Sequence, residues 1–408
     1  MDVIYTHSCG LDVHKQKVVA CAFTPGDKKM RTFSTMTNDL LQMKDWLAGL
    51  GVTHVAMEST GVYWKPIYNL LEGHFELLVV NAKQIKNWPG KKTDIKDAEW
   101  IADLLRHGLV RASYIPNREQ RELRELLRLR RSLVEQRTQA VNRTQKVLEG
   151  GNIKLGNVAS DVMGASGRAM LESMISGETD PEKLADLAKG KLRDKLSSLE
   201  QALNGLVEKH QRMMLKSLLR QVDFLDLEIS RLAREAEKRM QPYETEINRL
   251  CQIKGIGVDT AQAILAEIGT EMSRFPSAAH LSSWAKLCPG NNESAGKRHH
   301  SRTGHGNPWL RAALVRTAWA AVSNKNNYFY AQFCRLAGRL GRKKAIVAVA
   351  HSVLVAIYYM LRDHTDYKDL GADYFERADQ LRIIRRAVDR IEHFGYKVML
   401  QSEQTVFS

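Results

Sequence analysis

Apolar positions alternate, then recur at helical spacing, along the first hundred residues. Ser8-Cys9-Gly10-Leu11-Asp12-Val13 and Lys17-Val18-Val19-Ala20-Cys21-Ala22-Phe23 read as two strands around a turn of His14, Lys15 and Gln16. Pro25-Gly26-Asp27 signals a turn, and alternation from Met30 to Thr35 predicts a third strand. Leu40, Leu41, Met43, Trp46, Leu47 and Leu50 mark a helix over 38–50. A short β-rich run from His54 to Glu58 precedes a helix over 63–72. Phe75 to Val80 is a buried strand, and Thr93 or Asp94 caps a helix that Gly108 stops near His107.

The predicted order is β-β-β-α-β-α-β-α: an antiparallel meander whose later strands are reached through helical crossovers. It is the element order of the RNase H-like fold, so an α/β N-terminal domain is expected over residues 1–115. From Arg118 the texture changes. Leu126/Leu127, Leu133/Val134, Ala140/Val141 and Val147/Leu148 recur every seven residues, with Arg and Lys between. Leu215, Leu218, Val222, Leu225, Ile229, Leu232 and Ala236 make a second such run. Two matched runs fit an antiparallel hairpin, an intermolecular coiled coil or core helices of a bundle. This arm is assigned to 116–245, with a small helical insertion near 150–200 where Asp180 caps a helix beginning at Pro181.

An all-α domain is expected over 246–408. Lys254-Gly255-Ile256-Gly257 before an Ala- and Ile-rich helix looks like a helix-hairpin-helix turn, whose glycines let backbone N–H groups approach a phosphate. Residues 291–308 are rich in Gly, Lys, Arg and His, with almost no large apolar side chain, and read as a surface loop. Helices follow from Trp309 to Val322, from about Gly341 to Asp363, and in the tail from Arg377, whose end frays. The apolar run Ala345–Met360 reads as short for a membrane span.

Charge narrows the function. Lys and Arg outnumber Asp and Glu by 61 to 46 over 408 residues, a formal net charge of +15, which favours a nucleic-acid partner. The five cysteines form no Cys-x-x-Cys pair, so a zinc ribbon or disulfide framework is not expected. No signal-peptide pattern opens the chain, and a reducing cytosol is the simplest compartment.

Against this basic background stand four acids: Asp12 at the end of the first strand, Glu58 at the end of the fourth, and Asp94 and Asp97 on the first turn of one helix. These elements can converge at one edge of the sheet. Phosphodiester cleavage gains from two divalent cations about 4 Å apart, held by carboxylate oxygens. Each acid alone has a plain alternative, as a helix cap or turn residue.

Gly10-Leu11-Asp12-Val13-His14-Lys15, Met57-Glu58-Ser59-Thr60-Gly61, Lys92-Thr93-Asp94-Ile95-Lys96-Asp97-Ala98, the Gly-Ile-Gly turn and Ser294-Ala295-Gly296-Lys297-Arg298 with Gly306-Asn307-Pro308-Trp309-Leu310-Arg311 together resemble the DEDD insertion-sequence transposases. The resemblance spans about 5–400. It implies a RuvC-like domain whose metal ligands are Asp12, Glu58, Asp94 and Asp97, with Mg2+ or Mn2+ as cofactor. It also implies a catalytic serine in the polar loop, at Ser294, with Ser301 as the second candidate. Further implications are donor and target double-stranded DNA, a structured bridge RNA as guide, and a homodimer or homotetramer in the bacterial cytoplasm at the nucleoid, with no membrane. Attack by a serine hydroxyl conserves the phosphodiester in a covalent linkage that a new strand end can reverse. Lys297, Arg298, Arg302, Arg311 and Arg316, with Gly255 and Gly257, are the expected nucleic-acid contacts. The alternatives are a metal-dependent RuvC-like nuclease or junction resolvase using only the acids, and a non-enzymatic DNA-binding protein.

Overall fold

The computed structural model describes residues 2–59, 61–81, 94–289, 293–294, 297–298, 303–304 and 306–400. The chain divides into two compact units, Met1–Asn117 and Arg118–Ser408.

The first unit is built on a five-stranded sheet in the order β3-β2-β1-β4-β5. Its strands are β1 Ser8–Val13, β2 Lys17–Thr24, β3 Asp27–Ser34, β4 His54–Glu58 and β5 Glu76–Val80. β1, β2 and β3 pair antiparallel, while β4 and β5 run parallel to β1 and to each other. Helices α1 (Thr37–Gly49) and α2 (Trp64–Leu71) make the crossovers. Their Leu40, Met43, Leu47, Ile67 and Leu71 pack on one sheet face against Leu11, Val55 and Met57. α3 (Asp94–Arg106) covers the other face, where Ala98 and Ala102 meet Val19 and Cys21, and Ile101 and Leu105 meet Ala56 and Val80. Among the described residues the predicted element order is the observed one. β3 begins earlier than the alternation predicts, at Asp27, and of its residues only Phe33 is buried. It is an edge strand, and Lys28, Lys29 and Arg31 on it oppose pairing with another chain.

In the second unit, α4 (Arg118–Gly150) and α5 (Lys209–Met240) form an antiparallel hairpin. Gln211 reaches the Val147 carbonyl at one end, Arg137 pairs with Asp226 midway, and Arg239 meets Glu122 at 3.3 Å at the other. Leu123, Leu127, Ala140 and Leu148 are buried on α4, and Leu215, Leu219, Val222 and Leu225 on α5. The two heptad seams therefore meet each other within one chain. Short helices between residues 155 and 203 pack a core of Leu155, Met170, Leu171, Met174, Leu184 and Leu199 onto the hairpin tip at Leu148, Leu215 and Leu219. The predicted cap is present: the Asp180 carboxylate accepts from Glu182 N at 3.0 Å ahead of Pro181.

Beyond the hairpin lie α6 (Glu244–Cys251), α7 (Val258–Ile268), α8 (Ala278–Trp284), α9 (Pro308–Ser323), α10 (Tyr328–Leu340), α11 (Arg342–Arg362) and α12 (Tyr374–His393). α11, at 21 residues, is the one helix among the described residues long and apolar enough to cross a membrane, which corrects the expectation of too short a run. It serves as a core helix: Val349, Val353, Leu354 and Ile357 are buried, and α8, α9 and α10 pack around it.

Candidate active site

β1 alternates sides, so Gly10 and Asp12 share the face that α3 covers, while Leu11 and Val13 join the opposite core. A Cβ at Gly10 would lie 2.4 Å from the Ala98 carbonyl oxygen and 2.3 Å from Ala102 N. Only glycine lets the helix backbone come this close. At the far end of α3, the Arg106 carbonyl accepts from Ile4 N at 2.9 Å and Tyr5 N at 3.1 Å. α3 therefore runs antiparallel to β1, and its first turn lies toward the end of the strand that carries Asp12.

Asp12 is only 8% exposed. Its Oδ2 is 2.9 Å from His14 Nε2. The parallel register sets Leu11 beside Met57, so Glu58 follows at the position adjoining Asp12. Glu58 also pairs in register with Val80 of β5 and is partly exposed. Asp97 is half-buried on the first turn of α3; Asp94 begins that helix, and its side chain lies outside the described set. Thus Asp12 and Glu58 stand at adjoining positions at one end of the sheet, and the first turn of α3, which carries Asp94 and Asp97, lies toward that end. Among the described side chains no three His, Cys, Asp or Glu residues already form a metal cage. The donor chemistry nevertheless fits a hard divalent cation: a nearly buried carboxylate with a second at the adjoining register position offers the oxygen donors such a cation takes. Sequence reading missed His14. Its signal was its place two residues after Asp12, the strand period.

The predicted serine loop contains a short ribbon. β6 (Glu293–Ser294) pairs antiparallel with β7 (Lys297–Arg298), setting Glu293 opposite Arg298 and Ser294 opposite Lys297. Ser301, Arg302 and the loop histidines His299, His300 and His305 lie outside the described residues. The loop returns to the helices at Asn307. Its side-chain carbonyl caps α9 by accepting from Trp309 N at 3.0 Å and Leu310 N at 3.2 Å. Its amide donates to Glu267 of α7, which is 3% exposed. Arg128 of α4 grips the same carboxylate with two bonds of 2.7 Å, and Arg124 stands 3.5 Å away. The foot of the serine loop is thereby tied through one buried carboxylate to the hairpin arm. Glu267 also went unread, although it is an acid at the end of an Ala- and Ile-rich helix.

The expected nucleic-acid contacts divide. Arg311 donates to the Thr303 hydroxyl at 2.9 Å, bracing the loop. Arg316 is exposed on α9. Gly255 has φ +93°, and a Cβ there would meet the Thr317 carbonyl of α9 at 2.7 Å, so its lack of a side chain serves helix packing. Gly257, the residue before α7, faces open space.

A mixed sheet with acids gathered at one end, followed by a basic helical unit with a serine loop, is an arrangement suited to nucleic-acid chemistry, and comparison with known proteins makes the class definite: this is a transposase. Residues 9–153 match the transposase family DEDD_Tnp_IS110, and residues 247–334 match the Transposase IS116/IS110/IS902 family. Together these matches take in more than half of the chain, which belongs to the IS110 family of transposases. It is 26% identical over 315 residues to a Pseudomonas aeruginosa protein called "Probable family 20 transposase", spanning 76% of this chain and 83% of that one. It is 33% identical over 124 residues to an insertion element IS110 protein of Streptomyces coelicolor, 29% of each chain.

Proposed function

We propose that this transposase cuts and rejoins double-stranded DNA through a covalent serine–phosphate linkage at Ser294, with Asp12, Glu58, Asp94 and Asp97 holding the divalent cations the reaction needs. The observation that carries the reading is the adjoining register of Asp12 and Glu58 at the sheet end toward which the first turn of α3 lies. The sheet order, with a three-stranded antiparallel meander and two parallel strands added beyond β1, supports an RNase H-like, RuvC-like domain over 1–115. The arm over 116–245 and the transposase domain over 246–408 complete the working division.

In the first step the Ser294 oxygen forms a bond to phosphorus and the bond from phosphorus to one strand oxygen breaks. The serine proton departs, and the leaving oxygen takes up a proton. A new strand end reverses these steps, so the number of phosphodiester bonds is conserved. Mg2+ or Mn2+ at the carboxylates would offset charge on the phosphate. His14 holds the Asp12 carboxylate in place, and Lys297, the cross-strand neighbour of Ser294, can meet the same phosphate as the serine. Arg298, Arg302, Arg316 and Gly257 contact the strands, and Arg311 holds the loop. A bridge RNA selects donor and target, and the working form is a dimer or tetramer.

The test is a denaturing gel of the full-length protein with labelled DNA. Wild type yields a covalent adduct, while Ser294→Ala and Asp12→Asn bind DNA and yield none. An undiminished adduct from Ser294→Ala would rule out this serine. Free cleaved ends from the same variant would point instead to hydrolysis by the acids alone.

A further inference from the structure

In the helical unit, α4, α7 and α9 enclose a cleft of about 260 Å3 beside the foot of the serine loop. Its lining includes Arg128, Arg130 and Arg131 from α4 and Arg316 from α9. Three of these have acid partners. Arg128 grips Glu267, Arg130 meets Asp259 at 2.9 Å, and Arg131 meets Glu135 at 2.9 Å. Arg316 has no acid ion pair among the described residues. Partial burial, then the charge of Arg131, loosens its hold on its proton, and Glu135 offsets part of this. The lining thus carries four guanidinium groups against three carboxylates, and an entering anion would relieve the excess.

The rest of the wall is apolar and low. Ala263, Ala266 and Ala312 leave space, and Trp309 offers an indole whose ring lies 5.9 Å from the Arg128 guanidinium. Cations beside an aromatic ring are the chemistry that takes a phosphate together with a flat base. The volume lies just below the usual range for small organic ligands, so the cleft takes no more than one nucleotide and is too small for a duplex. Asn307 ends the serine loop on Glu267, a wall residue, so a strand held here lies next to that loop.

We infer that this cleft receives one nucleotide of a single strand, its phosphate on Arg316 and Arg131 and its base along Trp309. The inference rests on the proposed nucleic-acid chemistry and adds to it a defined strand-holding site.

The test is fluorescence anisotropy of the full-length protein with labelled single-stranded DNA, and separately with RNA of the same sequence, over a range of salt. Arg316→Gln should lower the slope of log affinity against log salt by about 0.7, the loss of one phosphate contact on a single strand. Arg131→Gln should act in the same direction. Trp309→Leu should weaken binding about tenfold with the slope retained. Arg220→Gln, an exposed position on α5 outside the cleft, should leave the slope unchanged. Thermal unfolding checks that each variant is folded. An effect with only DNA or only RNA identifies the strand and supports the site. Wild-type binding with an unchanged slope in Arg316→Gln overturns the inference. Absence of wild-type binding to either strand also overturns the cleft assignment, whereas the reading on which it rests stands or falls separately, by the covalent adduct with double-stranded DNA.

Discussion

Asp12 and Gly10 act as a pair on one face of β1, the glycine admitting α3 and the acid standing at the end toward which its first turn lies. Gly10→Ala forces a Cβ into helix backbone, which has no side chain to rotate away. A loss of about 1–3 kcal/mol or more is expected, read as a lower unfolding temperature, because overpacking of a filled interior costs this much. His14 orients the Asp12 carboxylate. His14→Ala should weaken metal activation of DNA cleavage about 10- to 100-fold, as loss of an outer partner does, and titration of activity with Mg2+ would show it. An unchanged titration would remove His14 from the site. At this scale the sequence was informative where a motif sits on a strand end. Asp12 and Glu58 were legible because strand period and element order placed them side by side. Glu267 was not, because its partners on α4 and at the loop foot are brought near only by the fold; His14 was passed over although its partner Asp12 stands two residues away.

The hairpin arm and the serine loop are joined at Glu267. That carboxylate is held by Arg128, Arg124 and Asn307 at once, and it is almost wholly buried. Glu267→Ala leaves two guanidinium groups without their acid, and should destabilise the helical unit by about 3–5 kcal/mol in denaturant unfolding. Arg137→Ala, in a pair of partly exposed side chains, should cost no more than about 1 kcal/mol in the same assay. Equal losses from the two variants would refute the central place given to Glu267. The heptad seams were readable and left open whether the partner was internal. The antiparallel pairing of α4 with α5 answers that within the chain. α10 went unread because its aromatic residues, Tyr328, Phe329, Tyr330 and Phe333, favour strands by composition. Its start was nonetheless signalled by Asn327, whose side chain caps the helix by accepting from Tyr330 N at 2.9 Å.

The whole molecule carries a net charge of +15 and folds as an α/β unit and a larger helical unit. DNA affinity should fall steeply with salt, since each phosphate neutralised on a duplex contributes about −0.9 to the logarithmic slope. A flat salt response would contradict phosphate-dominated binding. The most direct measurement is mass spectrometry of the trypsin-digested protein–DNA adduct. Cleavage after Lys286 and Lys297 yields a peptide, Leu287–Lys297, in which Ser294 is the single hydroxyl-bearing residue, whereas Ser301 falls on His299–Arg302. The account predicts a nucleotide remnant on the first peptide, lost in Ser294→Ala and absent when Asp12→Asn is used. A remnant on the second peptide, or DNA cleavage with neither peptide modified, would contradict it.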